Sequence, residues 1–339
     1  MKLAVLRAMK AVGLFALARQ LTRRGVRVLC YHGTWLGGEG FPGDAMFMKA
    51  ATFEARLDLI QRLGYPVVPL AQAVGMLRGE TQGPDWATVI TIDDGWYSTY
   101  RDMLPALRRR GLPATLYVDT RNLLSGVPVP HVMARYLKRL VGEGYAGRAA
   151  EGEAAASAER SWRDVLRFDV DPSERIAAAL EFAGAHGIDG ADYRDRRVFG
   201  YMTPDELATA HRDGLDVQLH SHSHDLDDYG EARMAAEIGQ NRAHLAEILG
   251  GEPTARQFFC YPSGRYDRSV GPVLDRLGVR SSTTLEPRIA YRGVDLQFLP
   301  RLADGEQVSP IELEADLCGI GDLMRGVRDL VKRALRPGR

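Results

Sequence analysis

The chain has 339 residues, room for one large domain or two small ones, and 45% of them are apolar, enough for a full core. Lys plus Arg and Asp plus Glu number 44 each, so the formal charge is zero and the basic excess of a nucleic-acid binder is absent. The three cysteines, Cys30, Cys260 and Cys318, show no CxxC spacing, which excludes a disulfide framework and reads as buried, inert thiols.

Residues 1–24 read as a basic amphipathic helix. Lys2, Arg7, Lys10, Arg19, Arg23 and Arg24 flank the stretch AVGLFALA. That stretch is too short to span a bilayer, which takes about 20 residues, and basic residues follow where a signal-peptide cleavage site would stand. The strand VRVLCY (26–31) comes next. The segment ATFEARLDLIQRLG places Phe53, Leu57, Ile60 and Leu63 on one helical face and ends at Gly64, a natural C-cap. YPVVPL (65–70), ATVITI (87–92) and ATLYV (114–118) read as further strands. Several of these runs are continuously apolar, as expected of strands buried on both faces of a parallel sheet.

The rhythm changes between about 121 and 200. This stretch reads as a helical insertion, with a helix from Asp171 to Gly187 and an Ala/Glu/Gly-rich segment over 146–160. The alternation then resumes. Thr203, Pro204 and Glu206 form a capping-box start to a helix that stops at Gly214. Strands follow at LDVQLH (215–220) and QFFCY (257–261). Residues 311–339 read as a second basic helix. The pattern predicts an α/β fold with a largely parallel sheet.

Three strand ends carry the chemistry. TVITIDDGW runs a strand directly into Asp93-Asp94-Gly95. Adjacent carboxylates repel unless a cation compensates, and a metal ion is one candidate; an ordinary Asp-Gly turn is the plainer reading. LHSHSHDL ends another strand in His220, His222 and His224, three of the chain's eight histidines. Imidazoles so concentrated point to a metal site, and one helical turn would bring His220 and His224 onto one face. FFCYPSGRYD ends a third strand at Tyr261-Pro262, followed by the Ser263-Gly264 turn, whose backbone N–H groups suit an oxyanion.

Taken together, these segments resemble the polysaccharide deacetylase family of NodB-homology fold. Thr91-Ile92-Asp93-Asp94-Gly95 matches its first motif. His220-Ser221-His222-Ser223-His224 matches the second, and Tyr261-Pro262-Ser263-Gly264-Arg265-Tyr266-Asp267 a common form of the third. The resemblance covers roughly 26–120 and 200–302. It is nearest a subgroup that opens with a Tyr-His pair, here Tyr31-His32. It implies a distorted (β/α) barrel of about seven largely parallel strands as one catalytic domain over 25–310; the helical insertion and the terminal amphipathic helices at 1–24 and 311–339 lie outside the resemblance.

The resemblance also implies roles. Asp94, His220 and His224 would hold one divalent ion, zinc by ligand type, with cobalt, nickel or iron also suited. Asp93 would be the general base, and the Tyr261 backbone N–H would bind the oxyanion. The usual late histidine acid is missing, since no histidine follows His244, so the role falls to His32. The arginine that normally braces the base is also missing from its place. Arg301 is the expected substitute, with Arg256 the other candidate, and His222 is left without a role.

The implied activity is N-deacetylation of an amino sugar in a poly- or oligosaccharide. The alternatives are the same chemistry on a lipid-linked or nucleotide-linked precursor, and a carbohydrate-binding protein without turnover. The basic ends suggest a cytoplasmic protein held peripherally at an anionic membrane face.

Overall fold

The computed structural model describes residues 2–38, 43–142, 162–163 and 171–334. Among these residues nine short strands form, in the order β1 (Arg27–Tyr31), β2 (Gly33–Thr34), β3 (Phe47–Met48), β4 (Thr88–Ile92), β5 (Thr115–Val118), β6 (Asp216–Leu219), β7 (Phe258–Cys260), β8 (Ser281–Thr283) and β9 (Leu302–Ala303). Seven of them make one sheet in the order β8-β7-β6-β5-β4-β1-β9, and every pairing in it is parallel. The sheet curls until Leu299, just before β9, donates to Ser282 O (2.8 Å) and accepts from Thr284 N (2.9 Å), so the two edges meet. This is the barrel-like α/β architecture the sequence predicts. β2 and β3 form a separate parallel pair beside it.

The two faces of the sheet explain the apolar runs. Leu29, Ile90, Ile92, Leu116, Val217 and Leu219 pack outward against the helices. Val28, Val89, Tyr117, Cys260 and Leu299 pack inward. Strand side chains alternate between faces. The same alternation carries Cys30, Asp93, His220 and Cys260 to the inner side, where β1, β4, β6 and β7 end.

Several expectations change. Residues 65–70 are not a strand. Pro66 and Pro69 interrupt it, Val67 makes only an isolated bridge to Thr88, and a helix starts at Leu70 with Pro69 as its N-cap. The 1–24 segment is two helices, Lys2–Ala11 and Leu14–Leu21, broken at Gly13 in the left-handed conformation. The C-terminal segment likewise divides into Pro310–Cys318 and Ile320–Ala334 at left-handed Gly319. The expected capping box at Thr203 and Glu206 is present, and Asp171 caps the helix Pro172–Ala185.

Where described, the 121–200 segment is mainly helical. It packs onto the main core through Tyr136, Phe182 and Phe199. Its 146–160 stretch lies outside the described residues.

Candidate active site

Asp93 and Asp94 follow β4 directly. Asp94 has φ +79°, a left-handed conformation that Asp tolerates better than most residues, and it turns its carboxylate away from that of Asp93. The two acids therefore meet different partners.

Asp94 faces histidines. Nε2 of His220 and Nε2 of His224 each lie 3.3 Å from Asp94 Oδ1. The Trp96 indole N–H donates to the other oxygen at 2.7 Å. His220 Nδ1 is anchored on Cys260 O at 2.8 Å, which aims Nε2 at Asp94. The loop after β6 achieves the convergence by a kink, not by the helical turn the spacing suggests: Ser221 (φ +66°) and His224 (φ +58°) are both left-handed. Burial opposes the charge on Asp94, but bonding to His220 and His224 outweighs it and holds the carboxyl well below its usual range. Burial likewise lowers the His220 pKa, and Asp94 more than restores it, for a net rise.

Asp93 faces a cation. Arg301 clamps it with two hydrogen bonds, Nη1 to Oδ1 and Nη2 to Oδ2, both 2.7 Å. Arg301 is itself fixed by Thr284 O (3.0 Å) and Thr91 Oγ1 (3.1 Å). The expected brace is therefore in place, while the alternative, Arg256, has its backbone carbonyl tied to Arg242 beside another helix. Burial would raise the Asp93 pKa, but Arg301 outweighs it, with His32 and His220 adding to the effect, and sets it at about 2. The thiols of Cys260 (3.4 Å) and Cys30 (3.6 Å) also reach Asp93 Oδ2. Burial raises both thiol pKa values well above normal, so they remain protonated donors.

His32 sits over this acid, its Nε2 3.9 Å from Asp93 Oδ2. Its Nδ1 is buried and, among the described residues, has no hydrogen-bond partner. Tyr261 does not match its expected role. Its backbone N–H donates to Thr283 O at 3.2 Å in the β7–β8 ladder, and its hydroxyl donates to Gln297 O at 2.8 Å. The amide is engaged and not free to receive an oxyanion. Ser263, two residues on in the same turn with φ +56°, has an N–H for which no acceptor occurs among the described residues. His222 turns away: its Nδ1 meets Thr120 Oγ1 at 2.9 Å and its ring stacks on His244.

Among the described residues, three groups of side chains bring ligand atoms within 4.8 Å of one another: Asp94-His220-His224, Cys30-His32-Asp93 and Asp93-His220-Cys260. The last two depend on Asp93, which already holds a guanidinium, and on thiols that burial keeps protonated. The first has no competing cation among the described residues and offers one oxygen and two nitrogen donors, three protein ligands in all. That donor set fits zinc and related divalent ions in an open, catalytic arrangement.

Two buried residues of the helix Glu231–Leu249 hold the histidine loop. Glu237 accepts from His222 N (2.9 Å), Ser223 N (2.8 Å) and Ser223 Oγ (2.8 Å). Asn241, one turn on, accepts from His220 N (3.1 Å) and donates to Val118 O (3.0 Å). Sequence reasoning missed both. The available signal was two polar residues set among Met234, Ile238 and Leu245 on the buried face of that helix.

Comparison with known proteins agrees with this geometry. Residues 163–282 match the family model described as "Polysaccharide deacetylase", a stretch that contains the histidine loop but not Asp93 and Asp94. The structure of Streptococcus pyogenes deacetylase PplD in complex with acetate superposes with a TM-score of 0.58 at 17% identity, covering 86% of this chain and 98% of that one. IcaB from Ammonifex degensii gives 0.55 at 20% identity, covering 87% and 97%.

The fold is that of the polysaccharide deacetylases.

A de-N-acetylase from Aggregatibacter actinomycetemcomitans shares it at a TM-score of 0.56 and 13% identity, with 86% of this chain and 99% of that one covered. Among curated sequences, the Bacillus subtilis (strain 168) protein YxkH, whose name places it provisionally among polysaccharide deacetylases, is 28% identical over 81 residues. That match spans 24% of this chain and 29% of the length of YxkH.

Proposed function

We propose that this protein hydrolyses the acetamide of an N-acetylated amino sugar in a poly- or oligosaccharide, releasing acetate and a free amine. The observation that carries the reading is the division of labour between the adjacent acids. Asp94 converges with two imidazoles on one point, and Asp93, a side chain away, is held ionised by Arg301. The shared fold with a deacetylase solved with acetate supports the same reading.

Asp94, His220 and His224 would hold one divalent ion, zinc by donor type. When bound, the ion supplies Lewis-acid chemistry: it acidifies water and polarises a carbonyl. Asp93 takes the proton of the attacking water. The Arg301 clamp makes this carboxylate a weak base but a permanently ionised and oriented one, so turnover depends on the water being acidified. His32 lies on the open side of Asp93 and protonates the departing amine. The free Ser263 N–H is the oxyanion donor in the turn after β7.

The test is an acetate-release screen over N-acetylated amino sugars, as free oligomers and as lipid-linked or nucleotide-linked forms. Acetate and amine should appear in equal amounts from at least one class. Binding without acetate release from any of them would instead favour a carbohydrate-binding protein without turnover.

A further inference from the structure

Among the described residues, exposed large apolar side chains concentrate in one region. Eleven large hydrophobic residues stand exposed among the described residues, and eight of them belong to the terminal helices or the Val12 corner. On the helix Leu14–Leu21 they form a stripe. Leu14, Leu17 and Leu21 face solvent, while Phe15 and Ala18 pack inward against Ala315, Cys318 and Ile320. Val12 is 73% exposed, Leu17 55% and Leu21 64%. Across the cluster, Met324 and Val327 are exposed on Ile320–Ala334. Met324 lines a groove of about 650 Å³ with Val5 of the first helix. The apolar surfaces of Lys2–Ala11 and Ile320–Ala334 therefore adjoin, and Leu14–Leu21 packs beside both helices.

Charge distinguishes among possible occupants. Residues 1–24 contain six cations and no acid. The acids of the neighbouring helix Pro310–Cys318 are already neutralised: Glu312 by Lys2, Glu314 by Lys10 and Asp316 by Arg325. Arg7, one turn after exposed Leu3, and Arg23, just past Leu21, have no acidic partner among the described residues. A second copy docking through this same face would bring the unpaired Arg7 and Arg23 of both copies into one interface without added acids. An anionic lipid surface complements both features, taking the leucine stripe into the headgroup boundary and pairing the arginines with lipid charge. None of the described helices is long and apolar enough to cross a membrane, so the contact lies along the surface.

We propose that the Lys2–Ala11, Leu14–Leu21 and Ile320–Ala334 helices form a docking face for an anionic bilayer. The face joins the barrel through Arg27, the first residue of β1, which donates to Leu317 O (2.8 Å) and Thr22 O (2.9 Å). His32 and Asp93 lie beyond the other end of β1 and β4. Docking therefore leaves the catalytic strand ends uncovered, able to meet a saccharide that extends from the surface or floats free of it.

The experiment is flotation of the full-length protein with vesicles of phosphatidylcholine alone or mixed with phosphatidylglycerol. The protein should float with the mixed vesicles at low salt, stay behind with phosphatidylcholine, and detach as salt rises. Leu17→Glu with Leu21→Glu should weaken binding at least about tenfold. Arg7→Glu with Arg23→Glu should weaken it by about fivefold or more per site. All four positions are exposed, so melting curves should match wild type and show that the variants fold. No flotation with the mixed vesicles, or flotation unchanged in both double variants, overturns the proposal. So does a lipid-free dimer, seen by light scattering, that the leucine variant dissociates; that result assigns the face to a second copy.

Discussion

Asp93 and Asp94 differ by one position in sequence and by a guanidinium in chemistry. The Asp-Asp-Gly motif identified both, but nothing local to it names Arg301, which lies 208 residues away. It was legible only through the family pattern, as a substitute for an arginine missing from its usual place in the third motif. Beside Arg301 stands Cys260, the last residue of β7, whose thiol touches both Asp93 and Arg301. The cysteines were expected to be buried, and they are. Their contact with the base was hidden because an apolar strand run gives no sign of which inward residue sits at the barrel's end. The Tyr261 assignment failed for a similar reason, since a motif marks a turn while only the strand ladder shows which amide is left over.

The Arg301 clamp makes a pH-dependent prediction. The clamp sets the Asp93 pKa at about 2, below the ordinary 3.8, so its contribution to stability is present above the ordinary value and is lost as pH falls through the lowered one. Arg301→Met should cost about 3–5 kcal/mol at neutral pH, because it leaves a buried carboxylate unpaired. In that variant only His32 and His220 still oppose burial, so the Asp93 pKa rises and protonation becomes less costly to the fold. The gap between wild-type and variant stability should therefore narrow from neutral to mildly acid pH. Denaturant titrations across that range measure it, and a constant gap would show that the pair is not what holds the acid.

His32→Ala should leave metal content intact and lower kcat by about 10²–10⁴-fold on an acetamide. It should lower it far less on an activated aryl acetate, whose leaving group needs no proton. Equal losses on both substrates would place the acid elsewhere.

At the scale of elements, the sequence was readable where burial is two-sided. β1, β4, β5, β6 and β7 were all read from the sequence within a residue or so of their observed bounds, although Arg27 opens β1 and Asp216 and Gln218 interrupt β6. β8 and β9 were not. Ser281–Thr283 is polar though wholly buried, and β9 is two residues long. The run 65–70 has strand composition, but its prolines remove the ladder donors a strand would use. The terminal helices have the right residues and one break too few, because Gly13 and Gly319 each adopt a left-handed conformation that ends one helix and starts another.

The helix Glu231–Leu249 acts on the site as a unit, with Glu237 and Asn241 gripping the loop that presents His220 and His224. Glu237→Gln keeps the shape but weakens the acceptor for two backbone N–H groups. It should lower metal affinity by about 10–100-fold while the helix itself remains folded. Competition with a chromogenic chelator reads the affinity, and circular dichroism checks the fold. Unchanged affinity would reduce Glu237 to a purely structural contact.

At the scale of the whole molecule, the arrangement separates two surfaces. The groups proposed to be catalytic gather where β1, β4, β6 and β7 end, and the basic, apolar helical face meets the barrel where β1 begins. The α/β class and the parallel barrel were legible from alternation and strand composition. The position of the terminal helices was not, because their link to the barrel runs through Arg27, a charged residue inside an apolar run, fully buried by bonds to backbone carbonyls.

The central claim is that Asp94, His220 and His224 would hold one divalent ion and that Asp93, beside them, acts as the base in hydrolysis of an acetamide. The most direct measurement is acetate release from an N-acetylglucosamine oligomer by chelator-treated protein, before and after adding back zinc or cobalt, with metal content measured on the same samples. The account predicts no release from the stripped protein and recovery with about one ion per chain. It also predicts that Asp93→Asn takes up the ion but stays about 10²–10⁴-fold slower. Full activity in the stripped protein, or an Asp93→Asn variant that fails to bind the ion while Asp94→Asn still binds it, would contradict it.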